Sequence, residues 1–227
     1  MTFPPVPTSA TVTNHFCGAL RAARRDDKPY RHWLLDDVLP QELAAAVVML
    51  PIVPPVMGDC GGVRDRDNGK RTFFTRLLQS RFPTCEVFAK ALQEPAAARQ
   101  LEETLGIGLD GSYLRMEYIQ DTDGAWLEPH RDIPEKLFSM VIYLCTGPDA
   151  EDWGTDIYDA DRKWVGRSSA AFNSAVIFVP GPDTWHGFDP RPIVGVRRLL
   201  EINYVRLGWR DRDQLAFPDR PVTAGHA

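Results

Sequence analysis

The stretch YLRMEYIQ, residues Tyr113–Gln120, opens the part of the chain that decides the fold. From here on the apolar runs are short and rich in Val, Ile, Tyr and Phe, with turn-forming residues between them, which is typical of β-strands. Several short strands of this kind predict a β-sandwich or a barrel. The predicted strands are Tyr113–Gln120, Leu137–Cys145, Gly154–Asp159, Ala175–Val179 and Arg197–Val205.

The first hundred residues have a different pattern. Proline is favoured at the start of a helix. Pro40 therefore predicts a helix that begins there and covers Gln41–Leu50. Most of Phe73–Leu105 has a helical period, with breaks at Pro83 and Pro95. Helices of this length need a sheet against which to bury their apolar stripes. We therefore expect one domain over residues 1–227, with 1–110 as a helical support region and 111–210 as the β core.

The composition excludes some classes of partner. The chain has 227 residues and a formal net charge of −5. A mildly acidic chain is not built to bind phosphate backbones or anionic lipid, so we expect neither nucleic acid nor a membrane as a partner. No apolar run approaches the roughly 18 residues of a membrane span, and Met1–Ala10 lacks a signal-peptide pattern.

A candidate metal site begins at the HRD motif, from His130 to Asp132. On a strand, alternate residues share a face, so the two side chains can point at one atom. His186 follows a predicted strand and the tight turn Pro180–Pro182, which can deliver a second imidazole over the same sheet. Two imidazoles and one carboxylate form a facial triad, which suits iron(II) and leaves three adjacent positions open.

The other histidines are expected to have no metal role. His15 lies in a polar leader and is expected to be solvated, His32 is expected to be packed, and His226 is next to the C-terminus. A structural metal site would usually use cysteine, and no cysteine is close in sequence to His130 or His186. The four cysteines form no CxxC pair, so we expect reduced, mostly buried thiols in a cytoplasmic protein, a compartment that also suits ferrous iron.

Arg197 is a candidate anion-binding residue eleven positions after His186. A dicarboxylate that chelates iron at one end leaves a second carboxylate, for which a bidentate guanidinium is the best match. An arginine at the start of a strand also commonly forms a surface salt bridge. The order of HxD, histidine and arginine, each on its own strand or turn, favours the binding role.

At this point the sequence resembles the iron(II)/2-oxoglutarate-dependent oxygenases, and among them the prolyl-4-hydroxylase-like branch, over roughly Tyr113–Val205. Cysteine replaces the usual asparagine of the YLN strand, and threonine and aspartate depart from the WGGEL turn. The residues that carry the resemblance are Tyr118, Tyr143-Leu144-Cys145, Trp153-Gly154-Thr155-Asp156, Phe172–Phe178 and Gly195-Val196-Arg197.

The resemblance implies a double-stranded β-helix, a cupin-like jelly roll, with N-terminal helices on its larger sheet. It implies iron(II) at the triad, 2-oxoglutarate as cosubstrate, O2 as oxidant and ascorbate as a reductant. Arg197 would bind the distal carboxylate with help from the Tyr143 hydroxyl. Arg198 competes for this role, although strand alternation favours Arg197, and Tyr118 is a further candidate. The implied reaction hydroxylates a C–H bond and releases succinate and CO2. A carboxylate at Asp132 argues against halogenation.

Three alternatives stay open: a cosubstrate-independent cupin-type dioxygenase, a non-catalytic jelly-roll binding protein and a structural metal protein. The substrate is not readable, and a peptide, a free amino acid or a small metabolite would fit. Specificity is expected in loops at the barrel mouth. These are Met57–Lys70, Asp121–Leu127 and Pro148–Arg167, which contain Trp126, Trp153 and Trp164.

Overall fold

The computed structural model describes residues 6–56, 62–63 and 71–225. Its helices are α1 Ser9–Arg21, α2 Gln41–Val48, α3 Arg76–Arg81, α4 Pro83–Gln93 and α5 Pro95–Leu105. Its strands are β1 Arg24–Asp26, β2 His32–Leu35, β3 Thr72–Phe73, β4 Tyr113–Asp121, β5 Leu127–His130, β6 Lys136–Tyr143, β7 Asp156–Tyr158, β8 Trp164–Arg167, β9 Ser174–Phe178, β10 His186–Phe188 and β11 Arg197–Val205.

The strands form two antiparallel sheets. The larger sheet has the order β1-β2-β9-β6-β11-β4-β3, and the smaller one has the order β5-β10-β7-β8. Strand β11 lies in the middle of the larger sheet and pairs along its whole length with β4, from Arg197 opposite Asp121 to Val205 opposite Tyr113. Because successive side chains alternate between faces, β11 presents two different surfaces.

One face of β11 packs against the helices. Leu200, Ile202 and Tyr204 belong to the main hydrophobic core, together with Phe16 of α1 and Phe88 of α4. The Tyr204 hydroxyl also donates to the Leu92 carbonyl at the end of α4. The opposite face, which carries Arg197, Leu199 and Glu201, lines a cavity. This is the placement that the alternating pattern predicts.

The long strands are close to their predicted bounds, and Arg197–Val205 matches residue for residue. The helical breaks at Pro83 and Pro95 are also confirmed, because each proline is the first residue of a helix. Five short strands were missed: β1, β3, β5, β8 and β10. The loop predicted at Pro148–Arg167 contains β7 and β8, while most of Met57–Lys70 lies outside the described residues.

The segment around His15 was interpreted as a polar leader, and that interpretation was wrong. Residues Ser9–Arg21 form α1, which is capped by the Thr8 hydroxyl and buries Val12, Phe16 and Leu20 on one side. These three residues are spaced four apart, which is the signal that identifies the helix. His15 is also not simply solvated, since its Nε2 lies 2.7 Å from the carbonyl oxygen of Asp37.

The division into regions remains a proposal. Strands β2 and β3 come from the first hundred residues, yet they lie on either side of β4, β6, β9 and β11 in the larger sheet. We propose that residues 1–227 form one domain because both halves supply strands to one sheet and side chains to one core. Among the described residues, no helix is long and apolar enough to cross a membrane.

Candidate metal and cosubstrate site

Two histidines face each other on neighbouring strands of the smaller sheet. His130 is the last residue of β5, and His186 is the first residue of β10. The two positions are direct partners in the antiparallel pairing, and their ring centroids are 4.3 Å apart. Strand pairing, rather than the tight turn that we predicted, thus brings the second imidazole beside the first.

Backbone contacts fix the orientation of both rings. Nδ1 of His130 lies 3.0 Å from the carbonyl oxygen of Glu128, and Nδ1 of His186 lies 3.0 Å from that of Thr184. A carbonyl can only accept, so each Nδ1 must carry the proton, which leaves the Nε2 lone pair free. Metal-binding histidines are commonly fixed in this way.

Asp132 approaches the same point from beyond the end of β5. Its Oδ2 lies 3.9 Å from Nε2 of His186. The Ser139 hydroxyl donates to Oδ2 over 2.5 Å, and the Lys136 ammonium donates to Oδ1 over 2.7 Å. The prediction that His130 and Asp132 share one strand is therefore corrected: β5 ends at His130, and contacts with β6 hold the carboxylate in place.

The protonation states also suit metal binding. Burial and then the positive charge of His130 lower the pKa of the His186 imidazole to about 4. Burial alone would raise the pKa of the Asp132 carboxyl, but the charges of Lys136 and His186 outweigh it, and the net shift is downward. Near neutral pH this gives a neutral imidazole and an ionised carboxylate, which are the forms that bind metals.

The three side chains meet closely enough to hold one ion. One ligand atom from each of His130, Asp132 and His186 lies within 4.8 Å of the other two. Two imidazole nitrogens and one carboxylate oxygen are the donor set of the facial triad, which fits iron(II) and leaves positions open for other ligands. The donor chemistry of the residues present therefore fits the implied metal.

A cavity of about 540 Å³ adjoins the triad and continues between the two sheets. All three triad residues line it. On one side it reaches Thr155, Phe188 and Arg197, and on the other side it reaches a group of charged residues. Those residues are Arg71, Arg115, Lys136 and Glu201.

Arg197 is held rigidly at its end of the cavity. It is only 2 % exposed, its Nη1 donates to Asp121 Oδ2 over 2.6 Å, and its Nε donates to the Trp153 carbonyl over 2.7 Å. The guanidinium carbon lies 3.8 Å from the ring centroid of Phe188. Within the described part of the chain Nη2 makes no hydrogen bond. A ligand in the cavity would therefore meet Nη2 rather than the two-nitrogen fork that we predicted.

Three hydroxyl groups form a cluster on the same side. The Tyr143 hydroxyl lies 2.6 Å from Thr155 Oγ1 and 2.6 Å from Ser168 Oγ. Tyr143 is fully buried, while Thr155 lines the cavity directly. Sequence reasoning quoted Thr155 only as a departure from the WGGEL turn and did not include Ser168. The cluster depends on the pairing of β7 with β8, and β8 was not predicted.

Tyr118 and Arg198 do not lie in the cavity. Tyr118 is 2 % exposed and belongs to the helix-packed core, on the opposite face of the sheet from Arg197. Arg198 follows Arg197 directly on β11, so its side chain points to that same opposite face. The expectation that Tyr118 adjoins the cosubstrate is therefore corrected, because its position in β4 has the wrong parity.

A network of buried ion pairs lies beyond the triad, and sequence reasoning did not find it. Arg115 is 1 % exposed and donates to Glu117 and to Asn203. Arg71 forms a second pair with Glu117, and Lys136 lies between Asp132 and Glu201. Arg115 and Glu117 share β4, whereas Arg71, Asp132, Lys136, Asn203 and Glu201 come from other segments of the chain, so the network depends on how the strands pair.

No model of a protein family matches the sequence, and no curated protein is similar to it in sequence. Several solved structures, however, are similar to this chain. A prolyl-4-hydroxylase from Pseudomonas putida is 19% identical with a TM-score of 0.54, covering 91% of this chain and 99% of its own. A prolyl 4-hydroxylase from Phytophthora capsici is 15% identical with a TM-score of 0.58, covering 91% of this chain and 70% of its own.

The chain has the prolyl 4-hydroxylase fold. A prolyl hydroxylase from Trichoplax adhaerens, solved with a peptide fragment of the hypoxia inducible factor oxygen degradation domain, agrees: it is 14% identical with a TM-score of 0.54, covering 87% of this chain and 88% of its own. The predicted double-stranded β-helix with N-terminal helices is thereby confirmed. At such identities the similarity concerns the fold, and the chemistry must be argued from the site.

Proposed function

We propose that this protein is an iron(II)- and 2-oxoglutarate-dependent dioxygenase that hydroxylates a C–H bond and releases succinate and CO2. The observation that carries the proposal is the joint placement of an open His–Asp–His group and a buried arginine in one cavity. A non-catalytic binding protein would have no need of this combination. A cupin-type dioxygenase that uses no cosubstrate would have no need of Arg197.

The residues of the cavity divide into two groups. His130, Asp132 and His186 would hold iron(II), which supplies the activation of O2 when it is bound together with 2-oxoglutarate. Arg197 would bind the distal carboxylate through Nη2, and the hydroxyl of Thr155 lies on the same side to accompany it. Asp121 and the Trp153 carbonyl orient the guanidinium before any ligand arrives.

Tyr143 would act through Thr155 rather than by direct contact. Its hydroxyl accepts from the Thr155 backbone N–H over 3.0 Å and also contacts the Thr155 side chain. It therefore positions the residue that faces the cavity. The apolar side chains of Ile119, Leu199 and Phe188 also line the cavity, and they would help to exclude water once a ligand is bound.

The carboxylate of Asp132 favours hydroxylation. With Asp132 as a third protein ligand, iron(II) would keep no position for chloride beyond those that the cosubstrate and O2 would need. For the substrate we propose a peptide as the first candidate, because the Trichoplax adhaerens enzyme holds a peptide. A free amino acid or a small metabolite is the alternative. Ferrous iron and the free thiols of Cys17, Cys85 and Cys145 suit a reducing compartment, and we propose the cytoplasm.

The proposal is tested by incubating the purified protein with iron(II), ascorbate and 2-oxoglutarate in air and measuring succinate. Turnover that requires iron and stops with a chelator is expected, and peptides and amino acids that stimulate it are candidate substrates. Oxygen uptake without consumption of 2-oxoglutarate would instead indicate the cupin-type reaction. Absence of bound metal would indicate a binding protein.

A further inference from the structure

Lys136 lies between two buried carboxylates beside the triad. Its Nζ donates to Oδ1 of Asp132 over 2.7 Å and to Oε1 of Glu201 over 2.6 Å. The side chain of Lys136 is 13% exposed, and those of Asp132 and Glu201 are 9% and 11% exposed. A lysine beside a metal site needs an explanation, because its charge repels the metal ion.

The two oxygens of Asp132 have different neighbours. Oδ2 faces the His186 imidazole and receives the Ser139 hydroxyl, whereas Oδ1 receives the lysine. Oδ2 is therefore the oxygen that would meet the metal. Carboxylates bind metal ions through either one oxygen or both. An ammonium group that already occupies Oδ1 opposes the second mode.

The carboxylate of Glu201 neutralises the positive charge of Lys136. Its Oε1 lies as close to Nζ as the oxygen of Asp132 does, so the Lys136–Glu201 pair carries no net charge. Arg115 is also near this carboxylate, with its Nη1 3.9 Å from the same Oε1. Glu201 thus offsets the repulsion between Lys136 and a metal ion and also fixes the direction of the ammonium group.

We propose that Lys136, held by Glu201, is a positioning residue that keeps Asp132 a single-oxygen ligand. This rests on the proposed function. A second oxygen on the metal would fill a position that the cosubstrate or O2 needs, so Lys136 keeps the site open. Because β6 carries Lys136 and β11 carries Glu201, the larger sheet controls the coordination of a metal held mainly by the smaller one.

The test uses cobalt(II) as a spectroscopic substitute for iron(II) and N-oxalylglycine as an inert mimic of 2-oxoglutarate. The variants are Lys136→Met and Glu201→Gln. Lys90→Met is the matched control, because Lys90 pairs with Glu86 over the same 2.6 Å on the exposed surface of α4. The visible absorption of bound cobalt reports its coordination, and titration gives the affinity for the mimic.

We expect Lys136→Met to change the cobalt spectrum and to weaken mimic binding by about 10-fold or more, as is common when the partner behind a metal ligand is lost. Glu201→Gln, which keeps the side-chain shape, should act in the same direction and serves as the test if Lys136→Met does not fold. Lys90→Met should match the wild type.

A wild-type spectrum and mimic affinity in a folded Lys136→Met, or in Glu201→Gln if the first variant is not folded, would overturn the role of Lys136 and leave the proposed function standing. A wild-type protein that binds no cobalt, or that keeps it after His130→Ala, would overturn both.

Discussion

His130 and His186 lie directly opposite each other on two antiparallel strands, with their ring centroids 4.3 Å apart. The register of β5 and β10 therefore brings together two residues that are far apart in the sequence. Each ring donates from Nδ1 to a carbonyl two residues earlier. The site is thus oriented by backbone contacts, which suits a metal centre that needs fixed geometry.

The first prediction concerns the metal ligands. His130→Ala and His186→Ala should each abolish stoichiometric iron(II) binding, because two ligands cannot hold the ion firmly. His15→Ala is the control, since His15 lies on α1 away from the cavity. Metal content is measured after anaerobic loading and desalting. Full occupancy in either cavity variant would refute the assignment of the ligands.

The second prediction separates the two adjacent arginines. Arg197→Ala should raise the 2-oxoglutarate concentration needed for half-maximal turnover by orders of magnitude, since breaking a buried charge pair costs about 3–5 kcal/mol. Arg198→Ala should leave that concentration nearly unchanged, because its side chain points away from the cavity. Circular dichroism checks that both variants fold. A larger effect in Arg198→Ala would transfer the role to Arg198.

The third prediction concerns the close approach of backbone at Gly154. A Cβ atom on this residue would lie 1.9 Å from the carbonyl oxygen of Ser168, so the two segments would have to separate. Gly154→Ala should lower the free energy of unfolding by about 1–3 kcal/mol, as is typical of overpacking. Gly166→Ala is the matched control, since its Cβ would meet nothing within 4 Å. Urea denaturation of both variants gives the comparison.

The fourth prediction concerns cysteine reactivity. Burial raises the pKa of the Cys85 thiol to about 12, above its ordinary value of 9.0. The thiolate is the reactive form, so Cys85 should resist iodoacetamide in the native protein up to about pH 9 and react fully in urea. Peptide mass spectrometry measures the labelled fraction. Rapid native labelling at Cys85 would contradict its burial on the inner side of α4.

The sequence predicted well the strands and helices in which apolar side chains recur at a regular spacing. From Leu200 to Tyr204 the residues of β11 alternate between apolar and polar, and the bounds of the strand were predicted without error. Helix α1 carries an equally regular pattern at Val12, Phe16 and Leu20, but its polar neighbours concealed it. The candidate ligands were found because histidine is rare in this chain, with only five in 227 residues.

The parts of the site that depend on pairing between distant strands could not be predicted. Lys136 contacts Glu201 only because β6 and β11 are neighbours, and nothing in either segment indicates the other. The same holds for the hydroxyl cluster of Tyr143, Thr155 and Ser168. The placement predicted for Tyr118 was wrong for a different reason. The family resemblance suggested a role in the site, but the alternation of side chains along β4 directs Tyr118 into the helix-packed core.

The central claim is tested most directly by oxygen labelling, which requires no knowledge of the substrate. The wild-type protein is incubated with iron(II), 2-oxoglutarate and isotopically labelled O2, and succinate is analysed by mass spectrometry. One labelled oxygen atom per succinate is expected, and succinate formation should disappear in His186→Ala. Consumption of oxygen without labelled succinate, or labelled succinate formed equally well by His186→Ala, would contradict the account.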